Sequence, residues 1–209
     1  NGAGKSTLLK MIVGAVTPDE GNVRLGASLK VGYFAQQALD LLDADLTIEE
    51  QLRKDFPLEA AALIGCSVAT GFGSAVNSAG LRAGQSVAVF GCGGVGLNAI
   101  QGAVATGAYP IIGVDVLDAK LEMARHFGAT HTINLAKQDL EAEVKKLTGT
   151  GVDASIIAVG SSKAMEQGLV ILAKQGIEVV LGLPGQGEKF PVDPWLLMGG
   201  ERKIVGSRY

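Results

Sequence analysis

From Arg53 onward, short apolar runs rich in β-branched residues alternate with longer stretches of helical character. That alternation predicts a parallel sheet covered by helices on both faces. Six runs read as strands: 86–90, 110–115, 131–134, 154–159, 177–183 and 203–207. Between them, helices are predicted over 120–127 and 164–175, with Gly128 and Gly176 placed to end them and Ser161 or Ser162 placed to start the second.

The first fifty residues have a different pattern. A short helix is predicted over 7–16, then a turn at Thr17-Pro18-Asp19-Glu20-Gly21, then strand-like segments around 22–25 and 29–34. The change near Gln51 and Arg53 predicts two parts, 1–52 and 53–209.

Composition narrows the picture. The chain has 209 residues, 47% hydrophobic and 19% charged, which is ordinary for a globular protein. A net charge of −3 without any Lys or Arg cluster provides no footprint for nucleic acid or an anionic membrane surface. Two cysteines, Cys66 and Cys92, are too few for a disulfide framework, and no apolar span of membrane length or signal peptide is present, so a cytoplasmic setting is expected. The thirty glycines imply many tight turns, as is common where phosphates meet the main chain. The chain lacks an initiating Met and begins inside a motif, so residues before Asn1 are expected to be missing.

That first motif is Asn1-Gly2-Ala3-Gly4-Lys5-Ser6-Thr7, a phosphate-binding loop. In such a loop, backbone N–H groups of Gly2 to Gly4 and the start of a helix surround the phosphates. Lys5 reaches the outer phosphates, and Ser6, next to Thr7, offers its hydroxyl to Mg²⁺. With Pro18-x-x-Gly21-x-Val23 and Gly32-Tyr33-Phe34-Ala35-Gln36, the segment resembles the first part of an ATP-binding cassette ATPase. That resemblance implies a metal- and water-facing role for Gln36. The family's signature sequence and acidic Walker B strand are absent from this segment. Leu197-Met198-Gly199-Gly200-Glu201 and Ile111-Ile112-Gly113-Val114-Asp115 imitate them only in part and in reversed order, so ATP and Mg²⁺ are expected to bind weakly or not at all.

The second motif is Gly91-Cys92-Gly93-Gly94-Val95-Gly96. It follows an apolar strand, opens a helix and precedes Asp115 at the end of the next strand, the context that makes a dinucleotide fingerprint specific. The expected fold is α/β, a Rossmann doubly wound six-stranded parallel sheet, preceded by a partial P-loop α/β segment. Gly91 permits the turn, Gly93 lets the main chain approach a pyrophosphate, and Gly96 lets the helix pack closely. Asp115 would accept hydrogen bonds from the adenosine ribose hydroxyls and repel a 2′-phosphate, which favours NAD over NADP.

Residues 53–209 resemble the cofactor domain of zinc-dependent, medium-chain alcohol dehydrogenases. The resemblance rests on Leu63-Ile64-Gly65-Cys66-Ser67-Val68-Ala69-Thr70-Gly71, the 91–96 loop, Gly113-Val114-Asp115, His126-Phe127-Gly128-Ala129-Thr130 and Arg202-Lys203-Ile204-Val205-Gly206-Ser207. It implies that Cys66 is the third protein ligand of a catalytic zinc, that Thr70 and Val95 lie near the nicotinamide, and that Lys120 reaches the adenosine ribose. It also places Leu181 and Leu183 at the nicotinamide and implies a small alcohol or aldehyde substrate and self-association through a sheet edge. Cys92 reads as a small apolar filler. His126 and His131, the only histidines, fall far along the fold from Cys66, and no four-cysteine structural zinc lobe is present.

The preferred reading is therefore an NAD-binding domain of an alcohol-oxidising enzyme, fused after a cassette fragment and without turnover by itself because the zinc-holding catalytic domain is missing. Two alternatives stand beside it: an ATP-binding cassette module, and a fusion or assembly product that no organism uses as a unit.

Overall fold

The structure, a computed structural model, describes residues 64–208 together with Thr17, Glu20, Thr47 and Glu50. The phosphate-binding loop with Gly2, Gly4, Lys5, Ser6 and Thr7, the residue Gln36, and the elements predicted over 7–34 lie outside the described residues. The chain falls into two compact units, Asn1–Phe56 and Pro57–Tyr209. Within the first, Thr47 and Glu50 form a reciprocal helix cap: the Thr47 hydroxyl and amide donate to Glu50 Oε2 at 2.7 and 2.8 Å, and the Glu50 amide donates to Thr47 Oγ1 at 3.3 Å.

The second unit opens with α1 (Ala69–Gly73), continued on either side by π-helical turns at Ile64–Val68 and Ser74–Ser78. There follow β1 (Val87–Phe90), α2 (Gly94–Thr106), β2 (Ile111–Asp115), α3 (Asp118–His126) and β3 (His131–Asn134). The second half contributes α4 (Leu140–Thr148), β4 (Val152–Ile157), α5 (Ser162–Val170), β5 (Leu172–Val180), α6 (Pro194–Gly200) and β6 (Lys203–Gly206). All six strands are parallel in the order β3-β2-β1-β4-β5-β6.

Burial on both sides explains the unbroken apolar runs of β1 and β2, every residue of which is buried. Successive side chains still alternate: Val87 and Val89 join the layer of Ile100, Ala103 and Ile111, while Ala88 and Phe90 join that of Ile112, Met165 and Leu169. Caps begin the helices where polar residues allow it. Asp139, Ser161 and Asp193 accept from the amides of Ala142, Ala164 and Trp195, at 2.8, 3.3 and 2.9 Å. Ser161 therefore starts α5, and the Ser162 hydroxyl donates instead to Glu188.

One prediction fails. The helix expected over 164–175 stops at Val170, and Leu172 already pairs with Val152 as the start of β5, so Gly176 lies within a strand and caps nothing. The register then jumps, from Val152 opposite Leu172 to Ala154 opposite Ile177, with Gln175 at φ 63° in the bulge. The other elements lie within a few residues of their predicted positions, and Gly128, at φ 110°, follows α3 as expected. Among the described residues no helix is long and apolar enough to cross a membrane.

Candidate functional site: two clefts at the reversal of strand order

Strand order reverses between β1 and β4, and in such sheets ligands bind outside the carboxyl ends of the strands at that crevice. Gly91 leaves β1 at φ 85°, a conformation that strains any other residue, while its amide donates to the Val114 carbonyl at 2.8 Å. Gly93 then caps α2 without a side chain, so the first-turn amides of that helix receive no side-chain oxygen. A Cβ at Gly93 would meet nothing within 4 Å, whereas one at Gly96 would sit 1.9 Å from the Gly91 carbonyl oxygen. Gly96 thus seats the helix on the turn, and Gly93 leaves room above it.

Asp115, at the end of β2, is 8% exposed. Its Oδ2 accepts from the Cys92 amide at 2.9 Å, and its Oδ1 accepts from the amides of Val116 and Leu117 at 2.8 and 3.1 Å. A carboxylate has about four acceptor positions, so three are used in holding the glycine loop and roughly one remains for a ligand. Cys92 is buried beside this carboxylate, and burial first, then the Asp115 charge, push its thiol up to about 12. It is an inert filler, as its sequence suggested.

Two clefts open here. The first, about 420 Å³, is lined by Gly91, Gly93, Asp115 and Lys120, together with Ser161, which caps α5, and Lys163 and Gln167 from within that helix. The second, about 610 Å³, is lined by Cys66, Thr70, Val95, Leu181, Leu183 and neighbours. Ala158, just past β4, lines both. The structure therefore divides the sequence-selected residues between an Asp115 cleft and a Cys66 cleft. Gly94 and Gly96 line neither: Gly94 is exposed near Ser67, and Gly96 is buried. The Thr70 hydroxyl is buried without a hydrogen-bond partner in the second cleft's wall.

Lys163 and Gln167 are not among the residues expected from sequence. A signal existed, since the helix after β4 must begin at the same switch point as the glycine loop. Cys66 is exposed, and neither His126 nor His131 lines its cleft. Among the described residues no three of His, Cys, Asp or Glu gather as a metal site, so the described residues do not by themselves make a zinc centre.

The six parallel strands with helices on both faces define a Rossmann-type α/β domain. Residues 94–209 match the model of the zinc-binding dehydrogenase family, more than half of the chain, and the chain belongs to that family. The ABC transporter model matches residues 1–149. The two matches overlap over 94–149, which the structure places inside the six-stranded sheet as α2, β2, α3, β3 and α4.

The chain is similar to putative alcohol dehydrogenase D of Mycobacterium tuberculosis, 38% identical over 76% of this chain and 42% of that protein. It is 39% identical to the S-(hydroxymethyl)glutathione dehydrogenase of Saccharomyces cerevisiae, over 73% and 41%. Among solved structures, benzyl alcohol dehydrogenase from Acinetobacter calcoaceticus superposes with a TM-score of 0.72 at 35% identity, covering 74% of this chain and 43% of that one. An alcohol dehydrogenase zinc-binding domain protein from Burkholderia ambifaria gives 0.71 at 37%, covering 73% and 41%. The chain thus spans about two fifths of the length of the relatives it matches.

Proposed function

We propose that residues 53–209 are the NAD(H)-binding domain of an alcohol-oxidising enzyme, with the adenosine half in the Asp115 cleft and the nicotinamide half in the Cys66 cleft. The observation that carries this reading is the pair of clefts joined at Ala158 across the switch point, since a dinucleotide has two halves linked by a pyrophosphate. Asp115 would accept one ribose hydroxyl with its remaining acceptor position, and Lys120 and Lys163 would flank the ribose as cations. Gly91, Gly93 and the first turn of α2 would donate to the pyrophosphate. Thr70 would spend its unpartnered hydroxyl on the nicotinamide side, with Val95, Leu181 and Leu183 providing apolar wall. When bound, the nicotinamide exchanges a hydride with an alcohol or aldehyde.

Cys66 is proposed as one zinc ligand of the assembled enzyme. A single exposed thiol does not hold the ion, so no catalytic step is derived through it. Self-association along β6, which among the described residues has one partner strand, is part of the same reading. For residues 1–52 we propose a cassette-type fragment without hydrolysis. The ABC transporter match supports the type, and the division between Phe56 and Pro57 supports a boundary in this region.

The test is calorimetric titration of the full chain with NADH, NADPH and ADP-ribose. Binding of NADH and ADP-ribose with weaker NADPH is expected, and equal affinity for NADH and NADPH overturns the role given to Asp115.

A further inference from the structure

Glu178 sits in the last third of β5 with no exposed surface, directly opposite Ser155 of β4, which is equally buried. Neither Glu178 oxygen nor the Ser155 hydroxyl has a hydrogen-bond partner. Helix α5 crosses above them at Gly168, where a Cβ would stand 3.2 Å from Glu178 Oε2 and 3.3 Å from Ser155 Oγ. A carboxyl group and a hydroxyl thus share a gap beneath a glycine, in a layer otherwise made of Ile157, Met165, Leu169 and Val180.

Among the described residues no cation answers the acid: Lys174 on β5 and Lys203 on β6 are both exposed. On β4 the only titratable group is Asp153, which accepts from the Ser86 hydroxyl and amide at 2.7 and 2.8 Å. Arg202, just before β6, spends its guanidinium on the carbonyls of Leu172, Ala173 and Leu196. On α5, Lys163 and Glu166 are exposed, and α6 carries no titratable residue. Burial raises the Glu178 carboxyl to about 8. An ionised carboxylate without a partner in an apolar layer is far more costly than the neutral acid.

We propose that Glu178 is a neutral carboxylic acid lying opposite Ser155, and that its ionisation lifts α5 from the sheet and loosens the nucleotide cleft. The link is α5 itself. Gln167, which lines the Asp115 cleft, is the residue next to Gly168, and Lys163 and Ala164 lie on the same helix. On ionising, Glu178 releases one proton to solvent, and the carboxylate then demands hydration that the closed helix excludes. This rests on the nucleotide-binding reading of the cleft.

The sign follows from the raised value. The unfolded chain ionises near 4.5, so the native state binds the extra proton between there and about 8. Stability from this group is fully present below the lower value and declines until the upper one.

The experiment titrates the full chain with NADH from pH 6 to 9, beside Glu178→Gln and, as an apolar alternative, Glu178→Val. Wild-type affinity is expected to be about tenfold weaker at pH 9 than at pH 7, one proton's worth per unit beyond the transition, and both variants are expected to be flat. Thermal unfolding across pH 5 to 8 should lose stability in the wild type and not in the variants. Difference infrared spectra should show a protonated acid at pH 7 that Glu178→Gln removes. The same pH dependence of binding in the variants, or no protonated band in the wild type, overturns the proposal. If NADH binds at no pH, the cleft reading and its link to Glu178 both fall, while the unfolding and infrared results still decide whether Glu178 is neutral. If both variants misfold, the wild-type infrared titration decides.

Discussion

The Asp115 cleft and the Cys66 cleft share a wall at Ala158 but are built to different degrees. Around Asp115, three amides converge on one buried carboxylate, a glycine turn is locked to the Val114 carbonyl, and cations stand at the rim. Around Cys66 most of the wall is apolar, with Thr70, Ser207 and Arg208 as its polar part, the thiol is exposed, and Leu183 is 88% exposed. The recognition chemistry proposed for the nucleotide draws on groups of one domain, whereas the transfer chemistry proposed for it needs groups that the described residues do not bring together. This is the division of labour expected when a cofactor domain supplies binding and orientation and a reactive centre is shared across domains.

The largest test of that contrast is Gly96→Val. Its Cβ would overlap the Gly91 carbonyl oxygen, so the glycine turn must shift, and NADH affinity is expected to fall by on the order of 100-fold, equivalent to about 2.8 kcal/mol and at the upper end of the roughly 1–3 kcal/mol that overpacking costs. Calorimetry checks this, with circular dichroism to show that the sheet survives. Retained affinity would mean that the turn does not set the cleft.

Asp115→Asn comes next. It keeps an acceptor for part of the amide cage but removes the charge, and NADH binding should weaken about 10-fold or more while the preference over NADPH shrinks, as loss of a charge-assisted hydrogen bond predicts. An unchanged NADH to NADPH ratio would separate Asp115 from cofactor choice.

Lys163→Ala is a finer probe. A solvent-exposed cation is worth about 0.2–1 kcal/mol, so a loss of a few-fold, diminishing as salt rises, is expected for ADP-ribose. The smallest expected effect is at the other cleft. Cys66→Ala should leave NADH affinity unchanged, and the chain with added zinc should oxidise no benzyl alcohol before or after the substitution. Zinc-dependent turnover by the unmodified chain would show that further ligands exist and would erase the contrast between the clefts.

Much of this was legible in residue order. The six strands, the glycine turn, the acid at the end of β2 and the inert Cys92 all follow from apolar runs, spacing and turn chemistry, which act over a few residues. The end of α5 was misread for the same local reason. Ala164 to Gln175 keeps a helical apolar spacing and meets Gly176 where a cap belongs, yet pairing of Leu172 with Val152 converts its last third into strand. Gross pairing energy between strands distant in sequence outweighs a local propensity of tenths of a kcal/mol per residue.

Sequence by itself determined the alternating α/β pattern, the fingerprint with its acidic partner, and the family to which they point, because each is written in contiguous residues. Only the tertiary structure decided how those residues divide between two clefts, which serine starts α5, and that Asp115 spends most of its acceptors on the main chain. It also decided that Glu178 meets Ser155 beneath Gly168 with no charge among the described residues to answer it. These depend on register between strands and on how closely a helix lies on a sheet, and both are properties of packing across segments far apart in the chain.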